Sequence, residues 1–201
     1  MTSTAVDQDA MRPVEEFKAN LQRQHDSEEF AREHILHGGC HMINESQHYM
    51  LKRRIAENYN LESTTDIFVV GSAKLGFSIA PHKRYRPFRD TSDIDLAIVN
   101  HRLYEQVWHE VHRYKESGAD WPKKLDFESY SSWGWIRPDK LPFSPTFKFA
   151  GDWWDFFRTL QRDRVAGQYK VAAALYHDLN FLVRYQSLAI EKCRAFEGIS
   201  E

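Results

Sequence analysis

Two short segments near the middle of the chain carry the hydrophobic pattern of β-strands, and helical spacing follows them. Residues 66–70 form a β-branched apolar run that ends at a glycine, and residues 92–99 alternate between polar and apolar side chains. Both segments predict strands. Apolar residues then recur every three or four positions, which predicts a helix over residues 102–117. The pattern indicates a small sheet with helices packed on it.

The flanking regions are predicted to be mainly helical. Apolar positions among charged residues predict one or two amphipathic helices between residues 13 and 37, with one more helix after them. Near the other end, the pattern predicts a short helix over residues 152–160 and a long helix over residues 168–195. In between, residues 125–130 alternate and predict a strand, within a region of strands and loops.

Composition is that of an ordinary globular chain. Hydrophobic residues make up 42% and charged residues 28%, and the net charge is −2, whereas a general nucleic-acid coat protein usually has a basic surplus. The chain has no apolar run of the roughly 18 residues that a membrane helix needs, and its two cysteines suit a reducing compartment. We therefore expect a cytoplasmic protein without a membrane partner.

We expect an α+β fold in which a small mixed β-sheet core is packed with N-terminal and C-terminal helices. The expected division is an N-terminal helical segment over residues 1–60, a catalytic core over residues 61–149, and a C-terminal helical segment over residues 150–201.

A Gly-Ser pair follows the first predicted strand, and two aspartates lie on the second. Gly71 allows a sharp turn and Ser72 can cap a helix, so backbone N–H groups at this turn can bind phosphate oxygens. Asp93 and Asp95 are two positions apart and therefore share one face of the strand. Such carboxylates repel each other unless a cation lies between them, and they suit Mg²⁺ bound together with substrate phosphates. The alternative is a strand-edge pair without a metal.

The segment Gly71–Gly76, followed by Ser92–Leu96, resembles the signature of the nucleotidyltransferase superfamily, which has a DNA-polymerase-β-like catalytic core. That signature is a Gly-Ser turn followed by Asp-x-Asp on the next strand. An insertion over residues 79–90 makes the gap longer here than is usual in the family. The resemblance implies that Mg²⁺, or Mn²⁺, supports transfer of a nucleoside monophosphate from an NTP to an acceptor hydroxyl, with release of pyrophosphate.

The resemblance also implies a third catalytic carboxylate from a later strand. Asp126, Glu128 and Asp139 are the candidates, and the sequence leaves all three open. If none of them reaches the metals, the protein would bind nucleotides without transferring them.

Basic residues supply further candidate contacts for the nucleotide. The segment of residues 82–89 holds four Lys or Arg residues beside the predicted triphosphate site, and guanidinium groups bind phosphate bidentately. Arg86 and Arg89 are therefore candidates, although a solvated loop is the alternative. Lys74 follows the Gly-Ser turn, and Lys170 begins the long predicted helix, where an ammonium group and a helix start both favour phosphate.

The acceptor remains open in the sequence. One option is a second nucleotide, which would give a nucleotide or oligonucleotide product in prokaryotic defence. Another is a tRNA or a protein, as in the antitoxin-type transferases that the motif resembles. A different class of function is a non-catalytic nucleotide-binding protein that acts with a partner toxin or effector.

Overall fold

A computed structural model of the chain describes residues 5–199, with side chains from residue 13 onward. The first elements are α1 (Ala5–Arg23), α2 (Ser27–Phe30), a π-helical turn (Ala31–Leu36), α3 (Glu45–Tyr59), β1 (Ile67–Val70), α4 (Gly71–Leu75) and a 3₁₀ turn (Pro81–Lys83). They are followed by β2 (Ile94–Val99), α5 (His101–Glu116), α6 (Lys124–Ser131), β3 (Trp135–Ile136), a 3₁₀ turn (Pro138–Lys140), α7 (Lys148–Arg162), β4 (Val171–Tyr176) and α8 (Leu179–Glu197).

The strands form one mixed sheet in the order β1-β2-β4-β3. The β1–β2 and β3–β4 pairs are antiparallel, and the central β2–β4 pair is parallel. The expected α+β class is therefore confirmed. In the register of the sheet, Asp95 on β2 pairs with Val70 at the end of β1 on one side and with Ala172 on β4 on the other. The sheet thus places Asp95 directly beside the strand that leads into the Gly-Ser turn.

Helices cover both faces of the sheet. Ile94, Leu96 and Ile98 are buried on one face, in a core shared with α3, α5 and α7. Burying an aliphatic side chain of this size contributes about 1.5–3 kcal/mol. The other face of the sheet packs against α1 and α8 through a second core that includes Ala97 and Tyr176. Because side chains alternate along a strand, Asp95 points to this second face.

Two of the predicted elements are wrong. Residues 125–130, predicted as a strand, lie in helix α6, which buries Phe127, exposes Asp126 and leaves Glu128 half-buried. The predicted continuous helix over residues 168–195 is instead β4 followed by α8. The other strands and the helix at residues 102–117 are confirmed to within two residues at each end.

The error at β4 has a clear physical cause. Three consecutive alanines favour a helix by intrinsic propensity, but the segment pairs along its whole length with β2 at the centre of the sheet. The chain then turns at Asp178, whose carboxylate accepts hydrogen bonds from the backbone N–H groups of Asn180 and Phe181, at 2.8 and 3.3 Å. This N-cap begins α8 at Leu179, eleven residues after the start of the single helix that the spacing predicts.

The division at residues 60 and 149 stays a prediction, although β4, which comes from the last segment, lies between β2 and β3. None of the helices within residues 5–199 combines the length and the hydropathy that crossing a bilayer requires.

Candidate functional site

A cavity of about 530 Å³ lies between the second face of the sheet and α8. This volume is within the range of about 300–1,000 Å³ that is usual for ligand pockets. Its lining includes five residues that the sequence singled out: Gly71, Ser72, Asp93, Asp95 and Asp139. A larger groove, of about 850 Å³, runs along α7, but Asp155, the only carboxylate in its lining, is paired with Arg158.

The Gly-Ser turn lies against the carboxylate of Asp95. Gly71 has a φ of +66°, in the left-handed region that glycine adopts readily and other residues do not. A Cβ atom at this position would lie 3.3 Å from Oδ2 of Asp95. Position 71 therefore requires a glycine for its backbone conformation and, in addition, has little room for a side chain. The structure thus brings the two halves of the sequence motif into contact.

Helix α4 is held in place by the loop that precedes α3. The backbone N–H groups of His41 and Met42 donate to the carbonyls of Lys74 and Ala73, at 3.1 and 3.2 Å. Ser72 lies within α4 and does not cap it, because the N-cap position is Val70. The helix has only five residues, so any anion binding here would depend on local N–H groups and the Ser72 hydroxyl rather than on a helix dipole.

The two aspartates carry more negative charge than their surroundings neutralise. Burial among the cavity walls, followed by repulsion from Asp93, raises the pKa of Asp95 to about 6. The side chain of Asp95 keeps an exposed surface, and that surface opens into the cavity. Nζ of Lys170 lies 3.1 Å from Oδ2 of Asp93. The positive charges of Lys83 and Lys170 both lower the pKa of Asp95. These two ammonium groups do not outweigh the burial and the repulsion.

The acidic pair fits Mg²⁺ or Mn²⁺ only when the ligand supplies further oxygens. Magnesium is commonly bound by one or two protein carboxylates together with substrate phosphates and water. Asp93 and Asp95 provide that number, and their repulsion is what a divalent cation would relieve. Within residues 13–199, no group of three or more His, Cys, Asp or Glu side chains converges as a complete metal site. The donor set therefore suits a metal that arrives with a phosphate ligand.

Of the three candidates for a third carboxylate, only Asp139 lines the cavity. Its two oxygens accept hydrogen bonds from the guanidinium group of Arg137, at 3.0 and 3.2 Å. Asp126, which is exposed, and Glu128, which is half-buried, lie on α6 outside the lining of the cavity, and each forms an ion pair of 2.8 Å with a lysine.

The strand next to the acidic pair carries no carboxylate on the relevant face. Asp95 pairs with Ala172, and Lys170 lies beside Asp93. Two residues further along β4, the same face carries Ala174. The side of the sheet next to the acidic pair thus presents lysine and alanine, and β4 contributes no carboxylate to it.

The predicted basic contacts are only partly brought together. The ammonium group of Lys74 donates to two backbone carbonyls of the loop before α3 and does not line the cavity. Arg86 and Arg89 are exposed on the insertion and also lie outside the lining. Lys170 reaches the site through its ion pair with Asp93. From the basic segment, it is Lys83, which the sequence did not single out, that lines the cavity.

The sequence also missed the wall of the cavity formed by β3, β4 and α8. Trp135, Tyr176 and Tyr185 line this wall, and the first two rings are stacked, with centroids 5.7 Å apart and an angle of 5° between their planes. The side chain of Gln186 on α8 lines the cavity beside them. These residues come from three separate elements, and no local spacing connects them.

Comparison with known proteins adds no family assignment. No family model, no curated protein and no solved structure matches the chain.

Proposed function

We propose that this protein is a metal-dependent nucleotidyltransferase that binds a nucleoside triphosphate in the cavity beside Asp93 and Asp95. The observation that carries the proposal is the contact between the Gly71 turn and the carboxylate of Asp95. A turn able to bind phosphate and a carboxylate pair suited to a divalent cation lie side by side, as binding of a metal–triphosphate complex requires.

Each residue of the site has a defined part in the proposal. Asp93 and Asp95 would hold Mg²⁺, which supplies charge neutralisation and activation of the attacking hydroxyl when it is bound. Ser72 and the backbone of the turn would bind phosphate oxygens, and Lys83 would neutralise the phosphates from the insertion. Lys170 neutralises Asp93 through its 3.1 Å contact, and it would exchange that contact for a phosphate when the metal arrives.

The proposed reaction transfers a nucleoside monophosphate. The acceptor oxygen forms a bond to the α-phosphorus while the bond from that phosphorus to the bridging oxygen breaks. Pyrophosphate leaves with the electron pair, and the proton of the acceptor hydroxyl passes to water. The acceptor is a second nucleotide, a tRNA or a protein.

The test is turnover by the purified full chain with each of the four NTPs and dNTPs and Mg²⁺ or Mn²⁺. Acceptors are the nucleotide alone, labelled tRNA and the protein itself, and the readouts are pyrophosphate release and product mass. The expected result is metal-dependent pyrophosphate release that the double variant Asp93→Asn/Asp95→Asn abolishes.

A matched control changes the same amount of charge away from the cavity. Asp126→Asn/Glu128→Gln neutralises two carboxylates on α6, which lie outside the cavity and are paired with lysines, and it should keep full turnover. Equal turnover by both double variants, or no nucleotide binding by the unaltered protein, would contradict the proposal.

A second candidate is a non-catalytic nucleotide-binding protein that acts with a partner toxin or effector. The specific observation in its favour is that Lys170, just before β4, and Ala172 and Ala174 on β4 lie beside the acidic pair, so that this strand adds no third carboxylate to it. This candidate predicts nucleotide binding that depends on Asp93 and Asp95 without any release of pyrophosphate. The same assays, with binding measured by calorimetry, separate the two candidates.

A further inference from the structure

The wall of the cavity opposite the Gly-Ser turn has a composition that differs from the acidic centre. Aromatic side chains from β3, β4 and α8 line it, and Tyr176 and Tyr185 line the same cavity as Asp95. Burial, and to a smaller extent the Asp95 carboxylate, raises the pKa of both tyrosines. The wall is therefore directly continuous with the proposed triphosphate site, and it offers flat apolar surface.

The side chain of Gln186 is the unusual group on this wall. Only 7% of the residue is exposed, yet among the described residues its amide has no hydrogen-bond partner. Gln186 lines the cavity, and its side-chain nitrogen and oxygen are not among the fully buried polar atoms that lack a partner. The amide is therefore accessible from the cavity. Buried amides are normally hydrogen-bonded, so an open amide at the edge of a cavity points to a ligand that completes it.

We propose that Gln186 selects the base of the nucleotide, and that the base is adenine. This inference rests on the proposed function, because it places the base on the aromatic wall while the phosphates lie at the Gly-Ser turn. An amide presents one donor and one acceptor side by side, and adenine presents the complementary pair, an amino group next to a ring nitrogen. Aromatic side chains provide the surface on which a base stacks.

The hydrogen-bonding edges of guanine fit this wall less well than those of adenine. Adenine offers a donor beside an acceptor at both N6–H/N7 and N6–H/N1, whereas guanine offers such a pair at N1–H/O6 on its Watson–Crick edge. Guanine presents two adjacent acceptors on its N7/O6 edge, which are bound best by an arginine or a lysine. The nearest cation on the wall is Arg137, and its guanidinium group already donates to both oxygens of Asp139 and contacts the hydroxyl of Tyr130. Cytosine and uracil could also pair with the amide, through N4–H/N3 and N3–H/O4, but their single ring would cover less of the aromatic wall than the two rings of adenine do.

The experiment measures binding of non-hydrolysable α,β-methylene triphosphates to the full chain by calorimetry with Mg²⁺ present. The analogues of ATP, GTP, CTP and UTP are compared for the unaltered protein, Gln186→Met and Gln186→Glu. Methionine keeps the length of the side chain without its amide, and glutamate keeps an acceptor but loses the donor. Gln161→Met is the matched control, because Gln161 is exposed on α7 and lies outside the cavity.

The expected result is a preference of about tenfold for the ATP analogue over the others, which is the size of a bidentate base contact. Gln186→Met should remove that preference while leaving the affinity for the GTP analogue unchanged, which also reports that the site is intact. Gln186→Glu should weaken binding of the ATP analogue, and Gln161→Met should bind as the unaltered protein does.

Two different failures can be told apart. If the unaltered protein binds all four analogues equally, or if Gln186→Met keeps the preference for adenine, the inference is wrong and the proposed function stands. If no triphosphate binds the unaltered protein, both are wrong. Should Gln186→Met lose all binding through misfolding, the preference of the unaltered protein and the behaviour of Gln186→Glu decide the matter.

Discussion

Replacing Asp95 by asparagine should make the metal-free protein more stable at neutral pH. The pKa of Asp95 rises from its ordinary value of 3.8 to about 6, because burial and the charge of Asp93 both disfavour the ionised form. A group whose pKa is raised in the folded state costs stability as the pH rises through that value. The cost is absent below pH 4, grows between about pH 4 and pH 6, and is complete at pH 7.5.

The size of the effect follows from the pKa. The rise from 3.8 to about 6 corresponds to at most about 3 kcal/mol at 1.36 kcal/mol for each pKa unit. Because the carboxylate opens into a water-accessible cavity, solvent screening reduces the cost to about 1 kcal/mol. For a chain of this length, that free energy corresponds to an increase in Tm of about 2–4 °C.

The assay is thermal unfolding of Asp95→Asn and of the unaltered protein in EDTA, at pH 7.5 and at pH 4. We expect the variant to have the higher Tm at pH 7.5 and the same Tm at pH 4. Asp126→Asn is the control: its pairing with Lys140 lowers the pKa of Asp126, so removing this charge should not raise the Tm. The reasoning would be refuted if Asp95→Asn did not raise the Tm at pH 7.5, or if it raised the Tm equally at pH 4 and at pH 7.5.

Three further substitutions test separate parts of the structure. Gly71→Ala should lower the free energy of unfolding in urea by about 1–2 kcal/mol, because the backbone at this position is left-handed. The loss should exceed that of Gly118→Ala, because Gly118 has a φ of +81° but no atom within 4 Å of an added Cβ. Equal losses in the two variants would contradict the contact between Gly71 and Asp95. Asp178→Ala should cost about 1 kcal/mol in the same assay by removing the N-cap of α8; no loss would mean that the cap contributes nothing. Lys170→Met should raise the pKa of Asp95 further, as followed by carboxylate NMR, since Lys170 lowers it now; an unchanged or lower pKa would be inconsistent with the ion pair.

The sequence predicts the acidic half of the site well because its signals are local. A β-branched run, a glycine at a turn and two aspartates with a spacing of two identify β1, the turn and β2 without any knowledge of the rest of the chain. The contact between Gly71 and Asp95 then follows from the antiparallel pairing of two strands close in sequence.

The other half of the site depends on contacts distant in sequence, so the sequence does not predict it. The alanines of β4 form a strand because β2 pairs with them, and the aromatic wall exists because β3, β4 and α8 meet there. With residues 125–130 as a strand, Asp126 is as good a candidate as Asp139, but these residues form helix α6, which keeps Asp126 away from the cavity. Lys83 reaches the cavity only through the 3₁₀ turn of the insertion, which gives no periodic signal.

The central position of β4 makes the order of synthesis matter for this protein. Until residues 171–176 leave the ribosome, one edge of β2 has no neighbour, and β3 has no strand to pair with. An unpaired strand edge is a template for association with other chains. Fragments that end before β4 should therefore aggregate rather than form a small independent domain, and the carboxylate pair should acquire its surroundings only when nearly the whole polypeptide is available.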